Sequence, residues 1–207
     1  YIDGDTQIKS SLNEFLSCTP PEGRFFASAD PMVFLLEDHS KEGESVRKHF
    51  QEIGLTPEQS RQYFNTGVLY FNRSAWAVIA EKARTIIRSQ NTMSRFPDQD
   101  ILNIVGIERA LPMSLSWNFP VFLHNARLES TIQPKIVHYM SQPKPWDGIF
   151  QPWQASDYAP YPAFVAAYPE FSGLWKRSSL SRKLRYFAQQ HYKRFCETRK
   201  WGHGAVH

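Results

Sequence analysis

Two carboxylates flanking one glycine, Asp3-Gly4-Asp5, follow Tyr1-Ile2 at the start of the chain. A turn through Gly4 can bring both onto one hard divalent cation, although such a pair taken alone is more often a solvated turn. His138 stands alone in the apolar run Lys135-Ile136-Val137-His138-Tyr139, where a histidine is either a satisfied core residue or a ligand. Lys144, six residues on beyond a bend, favours the ligand reading. Carboxylate, carboxylate and imidazole suit Mn²⁺ better than Mg²⁺ or Ca²⁺, and a lysine beside such a metal suits a diphosphate. Two further sets could hold a ligand. Asn65-Thr66-Gly67 offers an amide beside a glycine that lets backbone approach closely, or else an ordinary left-handed turn. Asp98-Gln99-Asp100 is either a polar cluster or a simple helix cap.

These residues need elements to hold them. Val46, Phe50 and Ile53 recur at helical spacing over Lys41 to Ile53, and Gly54 is a natural stop. Thr56-Pro57-Glu58-Gln59 reads as a capping box opening a short helix that ends near Tyr63. A turn is expected at Asn65-Thr66-Gly67, then a strand covered on both faces over Val68-Leu69-Tyr70-Phe71. Ser74 is the expected cap of a helix whose stripe is Trp76, Ile79, Ala80, Ala83 and Ile87. Asp98, Gln99 and Asp100 precede Ile101, Leu102, Ile104 and Val105, which places them in a helix's first turn, where carboxylates are favoured. Lys135 to Tyr139 reads as a strand, and Ser141 to Trp146 as the loop leaving its C-terminal end, where open α/β sheets bind ligands. Residues 150–170, rich in Pro and aromatics, show no period and read as a wrapping segment.

The 207 residues, 42% of them apolar, suffice for a sizeable core and exclude disorder throughout. Two cysteines, Cys18 and Cys196, give neither a disulfide framework nor a four-cysteine metal site. No apolar run approaches the roughly 18–20 residues of a membrane-spanning helix. The first residues read as the end of a strand, so the chain is expected to be the C-terminal part of something longer. The net charge of +4 joins unlike regions: residues 1–171 carry 15 Lys+Arg against 19 Asp+Glu, residues 172–207 carry 9 against Glu197 alone. Within that tail Leu180, Leu184, Phe187, His191 and Phe195 keep helical spacing, with Arg182, Lys183, Arg185, Lys193, Arg194 and Arg199 around them.

In order along the chain, four motifs resemble those of glycosyltransferase family 8, the retaining group that includes glycogenin and bacterial lipooligosaccharide galactosyl- and glucosyltransferases. They are Tyr1-Ile2-Asp3-Gly4-Asp5, Tyr63-Phe64-Asn65-Thr66-Gly67-Val68-Leu69, Asp98-Gln99-Asp100-Ile101-Leu102-Asn103, and His138-Tyr139-Met140-Ser141-Gln142-Pro143-Lys144-Pro145-Trp146. Trp117-Asn118-Phe119 resembles a further family stretch between the last two. The resemblance covers roughly residues 1–150 and implies an α/β, GT-A-like (Rossmann-like) nucleotide-sugar transferase fold lacking its N-terminal portion, which in the family holds the uridine and ribose. Residues 151–171 would wrap it, and 172–207 would form a basic amphipathic helical tail.

What the resemblance implies for the site is specific. Asp3, Asp5 and His138 would bind Mn²⁺, or Mg²⁺, bridging the phosphates of UDP-galactose or UDP-glucose. Lys144 would pair with the diphosphate, with the backbone at Ser141 against it. Asn65, Thr66, Gly67 and Asp98 would hold the donor sugar, Gln99 would lie beneath its anomeric carbon, and Asp30 would face the acceptor. Ser141 replaces the family's usual Gly and would be strained if that position needs positive φ. Thr66 replaces a smaller residue. Because Gln99 is an amide, a front-face route fits better than double displacement through a carboxylate nucleophile. The expected activity is hexosyl transfer to a glycan acceptor, of lipopolysaccharide or lipooligosaccharide core type, in the cytoplasm, with the tail reaching an anionic membrane surface. Three alternatives stand beside it: a non-catalytic degenerate transferase fold, a polyanion-binding module using the tail without specific nucleic-acid recognition, and a protein- or self-glycosylating enzyme using Tyr158, Tyr161 or Tyr168.

Overall fold

The computed structural model describes residues 1–89, 95–174 and 178–201. In chain order its elements are β1 (Thr6–Ile8), α1 (Asn13–Ser17), β2 (Phe25–Ala29), α2 (Lys41–Glu52), α3 (Pro57–Ser60), β3 (Phe64–Phe71), α4 (Arg73–Ser89), α5 (Pro97–Gly106), β4 (Ala110–Pro112), β5 (Phe119–Pro120), α6 (Glu129–Ile132), β6 (Ile136–His138), α7 (Ala155–Tyr158), α8 (Pro160–Ala167) and α9 (Leu180–Trp201), with 3-10 turns between them. They fall into two compact units: Tyr1–Asp3 with Ser10–Asn118, and Gly4–Lys9 with the described residues from Phe119 onward.

In the first unit β2 is central, antiparallel to β3 and parallel to β4. Tyr1 to Asp3 also pair with β3, through an antiparallel bridge between Ile2 and Val68 and through Asp3 N–H donating to the Gly67 carbonyl (2.8 Å). Phe25, Ala27, Phe64, Leu69, Ile79 and Ile107 form the buried core between sheet and helices. Fully burying side chains of this size is worth about 1.5–3 kcal/mol each. Ser40 caps α2, and Gly54 follows it at φ +82°, a conformation glycine adopts without a Cβ clash. The Thr56–Gln59 capping box is present, but its helix ends at Ser60.

Two local expectations give way. Asn65-Thr66-Gly67 is extended and lies inside β3, whose residues from Phe64 to Leu69 are buried. Tertiary pairing overrides the turn preference: the Asn103 amide accepts from Phe64 N–H and donates to the Phe64 carbonyl (both 2.8 Å), and β2 and Asp3 supply further bonds. The cap of α4 is Asn72, whose Oδ1 accepts from Ala75 N–H (2.9 Å) and from the hydroxyl of Ser74, the residue expected in that role. The buried face of α4 is Ala75, Ile79 and Ala83, with Trp76 and Ile87 exposed.

The second unit is built on the sheet β1-β6-β5, with β6 antiparallel to β1 and parallel to β5. The stretch read as an aperiodic wrapping segment contains helices α7 and α8 and a 3-10 turn at Pro169–Leu174. Of the tail expected over 172–207, residues 175–177 and 202–207 lie outside the described residues, and the remainder is dominated by α9. α9 packs through Tyr186 (3% exposed) and Gln190 (6%), whereas Leu184, Phe187 and Phe195 are 63%, 59% and 60% exposed. Among the described residues, no helix is long and apolar enough to cross a membrane.

Candidate active site

In the second unit the antiparallel pairing of β1 with β6, strands far apart in the chain, sets the first cluster. Thr6 pairs with His138, and Tyr139 N–H donates to the Asp5 carbonyl (2.9 Å), so Asp5 is held beside the buried imidazole of His138. Their side chains approach to 3.3 Å, Asp5 Oδ1 to His138 Nε2. The Lys144 ammonium donates to Asp5 Oδ2 and to the Tyr139 carbonyl. Half-burial would by itself raise the Asp5 carboxyl, but hydrogen bonds and charge from His138 and Lys144 outweigh it and hold the group at about 2. Asp5 is therefore an anion at neutral pH, next to a nitrogen donor. This mixed oxygen and nitrogen donor set can hold a divalent metal ion. Lys144 N–H donates to Asp147 Oδ2 (2.9 Å), which fixes the start of the turn at Pro145–Asp147. Ser141 is exposed and does not share the left-handed backbone of Arg127, Gln133, Gly23, Gly54 and Gly148, so the strain anticipated there is absent.

Asp3 belongs to the first unit, where it bonds to Gly67 and its Oδ1 accepts from the Tyr1 hydroxyl (2.5 Å). A second cluster lies in that unit, nearly all of it buried. Asp30 Oδ2 accepts from Asn65 Nδ2 and Gln99 Nε2, both at 3.0 Å, and Asp30 Oδ1 caps a turn by accepting from Met32 N–H (2.9 Å). The Gln99 carbonyl oxygen accepts from Asn65 Nδ2 (3.1 Å) and Thr66 N–H (3.2 Å), while Gln99 Nε2 also donates to the Tyr63 hydroxyl (3.2 Å). The Gln99 amide thus has one allowed orientation. Asn65 is fixed in the same way: its Oδ1 accepts from Gly67 N–H (2.9 Å) and Asn118 Nδ2 (2.8 Å). Asp98 is exposed at the first turn of α5 and stands outside these bonds.

Beneath Gln99 lies a layer that sequence reasoning did not assign. Asp100, 1% exposed, accepts from the Tyr63 hydroxyl (2.5 Å) and Phe96 N–H (3.2 Å), and its Oδ1 lies 3.1 Å from His49 Nε2. Burial, followed by Asp100 as acceptor, pushes the Tyr63 phenol well above its ordinary range and keeps it a donor. Asn103 and Asn118 complete the layer. The signal available for Asn103 was its place one helical turn after Gln99, whose carbonyl accepts from it (3.0 Å). His49 lies on α2, 51 residues from Asp100, and no local pattern marks it.

Comparison with known proteins places this geometry. The family described as Glycosyl transferase family 8 matches residues 1–149. The lipopolysaccharide glucosyltransferase WaaO of Escherichia coli K12 is 30% identical over 208 residues, covering 94% of this chain and 56% of the relative. The lipopolysaccharide 1,3-galactosyltransferase of Salmonella typhimurium LT2 is 27% identical, covering 93% and 57%. The chain thus spans little more than half the length of these relatives. Two solved structures share its fold: an active-site mutant of LgtC (TM-score 0.57, 19% identity, 79% of this chain and 60% of that one) and the apo bifunctional glycosyltransferase WbbM (TM-score 0.56, 22% identity, 70% and 29%). The fold is therefore a GT-A-like α/β arrangement with a helical C-terminal portion.

Proposed function

The chain belongs to glycosyl transferase family 8, and from that premise we propose that it transfers a hexose, glucose or galactose, from a UDP-sugar to a glycan acceptor of lipopolysaccharide core type. The observation that carries this reading is the Asp5–His138–Lys144 cluster, which puts an anion, an imidazole and an ammonium together at the end of the β1–β6 pair. Asp5 and His138, with Asp3 one glycine away along the chain, would hold Mn²⁺. When bound, the metal supplies fixed positive charge for the diphosphate leaving group. Lys144, whose ammonium now donates to Asp5 Oδ2 and the Tyr139 carbonyl, would turn to the diphosphate and add a second positive charge where negative charge grows as the bond from sugar to UDP breaks. The Ser141 backbone would lie along the same diphosphate.

Asn65, Thr66, Gly67 and Asp98 are the donor-facing residues of the proposal, Asp30 faces the acceptor, and Gln99 lies beneath the anomeric carbon. Both buried carboxylates near Gln99 are committed: each oxygen of Asp30 and of Asp100 already accepts a hydrogen bond. That favours scaffold roles over nucleophilic ones. A front-face route, in which the departing phosphate oxygen takes the acceptor hydroxyl's proton, fits an amide at position 99. The test is UDP-sugar hydrolysis by the complete protein with Mn²⁺ across a donor panel. Turnover with UDP-glucose or UDP-galactose is expected, and no binding or turnover with any donor would favour a degenerate, non-catalytic fold instead.

A specific observation also supports membrane-surface association. The stripe Leu180, Leu184, Phe187 and Phe195 is exposed on α9, on a different face from Tyr186 and Gln190. Arg182, Lys183, Arg185, Arg194 and Arg199 are exposed around it. Each cation near anionic lipid is worth about 1 kcal/mol, and the stripe can insert beside them. Co-sedimentation with phosphatidylglycerol vesicles is expected for the complete protein, and Phe187→Glu with Phe195→Glu should abolish it. Equal pelleting of both proteins would contradict this role for α9.

A further inference from the structure

α9 grips the loop that carries Lys144. β6 ends at His138, and the loop beyond Tyr139 must be held by other means. Lys193 Nζ donates to Ser141 Oγ (3.0 Å) and to the Gln142 carbonyl (3.2 Å), and Gln189 Nε2 reaches the same carbonyl (3.4 Å). Farther along, Gln190 Nε2 donates to the Gln151 carbonyl (2.8 Å) and Arg194 to Gln151 Oε1 (2.6 Å). Just before α9, Ser178 Oγ donates to Asp147 Oδ1 (3.1 Å), and the other oxygen of that carboxylate accepts from Lys144 N–H. Residues 189, 190, 193 and 194 lie on adjoining turns of one side of the helix, so a single rigid face makes these contacts. At its far end α9 is fixed again: Asn125 donates to Glu197 (2.5 Å) and Thr198 to the Asn125 carbonyl (3.0 Å).

We infer that Lys193 is a positioning residue of the diphosphate side of the site, acting through Ser141 and the Gln142 carbonyl to fix the loop that presents Lys144. The inference rests on the proposed UDP-sugar reading and adds to it a part played by the tail helix. It also gives position 141 a physical role: a glycine there has no side-chain acceptor, whereas the Ser141 hydroxyl receives the Lys193 ammonium. Partial burial pulls that ammonium below its usual range, with Glu197 acting in the opposite direction, so its hydrogen bonds replace lost hydration. A charge-assisted hydrogen bond of this kind, once removed, leaves the loop free to sample positions in which Lys144 misses the diphosphate.

The test uses the complete protein with UDP and Mn²⁺. Lys193→Ala should weaken UDP binding by roughly five- to tenfold, raise the donor KM, and leave kcat at saturating donor nearly unchanged, while Lys193→Arg restores affinity. In a Ser141→Ala background the same change should cost less, since the Ser141 contact is already gone and only the one to the Gln142 carbonyl remains to be lost. Hydrogen exchange over residues 141–147, measured without ligand, should accelerate in Lys193→Ala. Unchanged exchange, or an equal loss of UDP affinity in both backgrounds, would overturn the inference. A wild-type protein that binds no UDP would instead defeat the functional reading, and the exchange measurement would still decide whether Lys193 holds the loop.

Discussion

Orientation of one amide is the central fact at the scale of single residues. Gln99 can be held one way round only because Asn65, Thr66, Asp30 and Tyr63 each accept or donate in a fixed sense, and Tyr63 is itself fixed by Asp100. Tyr63→Phe removes the hydroxyl from the middle of that chain and leaves Asp100 Oδ1 and Gln99 Nε2 short of a buried partner. A loss of about 1–3 kcal/mol is expected, read as a lower midpoint in urea unfolding with unchanged slope. A midpoint within experimental error of wild type would show that the layer under Gln99 is not closed as described. Asp98, Gln99 and Asp100 were legible as a set from the sequence because a helix start concentrates carboxylates. That Asp98 faces solvent while Gln99 and Asp100 are buried depends on α2 and β3 packing against α5. Those are long-range contacts, which no local pattern encodes.

Elements tell the same story through their ends. The Thr56–Gln59 box is legible in the sequence because a cap is a local bond between a side chain and the next turn; the Ser40 cap of α2 is local in the same way but is added by the structure. The cap of α4 lies two residues before the expected Ser74 because Asn72 and Ser74 are both good caps and only the structure shows which side-chain oxygen Ala75 N–H reaches. Half of β3 is legible in the sequence, its apolar run Val68–Phe71, but Asn65-Thr66-Gly67 has turn chemistry locally and strand geometry in context. In the second unit α7 is tied to β1 by Asp157, which accepts from Lys9 Nζ, the Tyr139 hydroxyl (2.9 Å) and Gln154 N–H (2.8 Å). Burial acts to raise the Asp157 carboxyl, and these donors together hold it below its usual 3.8. A lowered folded-state value means that the group's contribution to stability is complete above the unfolded value, near pH 4, and is lost as the pH falls through the folded value. Asp157→Asn should therefore be less stable than wild type by about 1–2 kcal/mol at pH 7, with the gap narrowing below pH 4. A gap that stays constant down to pH 2.5 would show that the charge of Asp157 contributes nothing.

At the scale of the whole molecule, the charge division runs along the chain. The acidic residues 1–171 hold both polar clusters, and α9 lies within the basic residues 172–207. The amphipathic period of α9 was visible in the sequence, but a period gives the angular spacing of a stripe and not which stripe packs. Tyr186, Gln190 and Lys193 make the contacts, and the more apolar stripe is left exposed. The proposed transfer requires that Asp5 and His138 form a metal site for a diphosphate. Calorimetric titration of Mn²⁺ with UDP into the complete protein measures this most directly. Wild type should bind UDP only when Mn²⁺ is present, and His138→Ala and Asp5→Asn should each lose that metal dependence together with most of the affinity. UDP binding that is equally tight without Mn²⁺, or unaffected by either substitution, would contradict it.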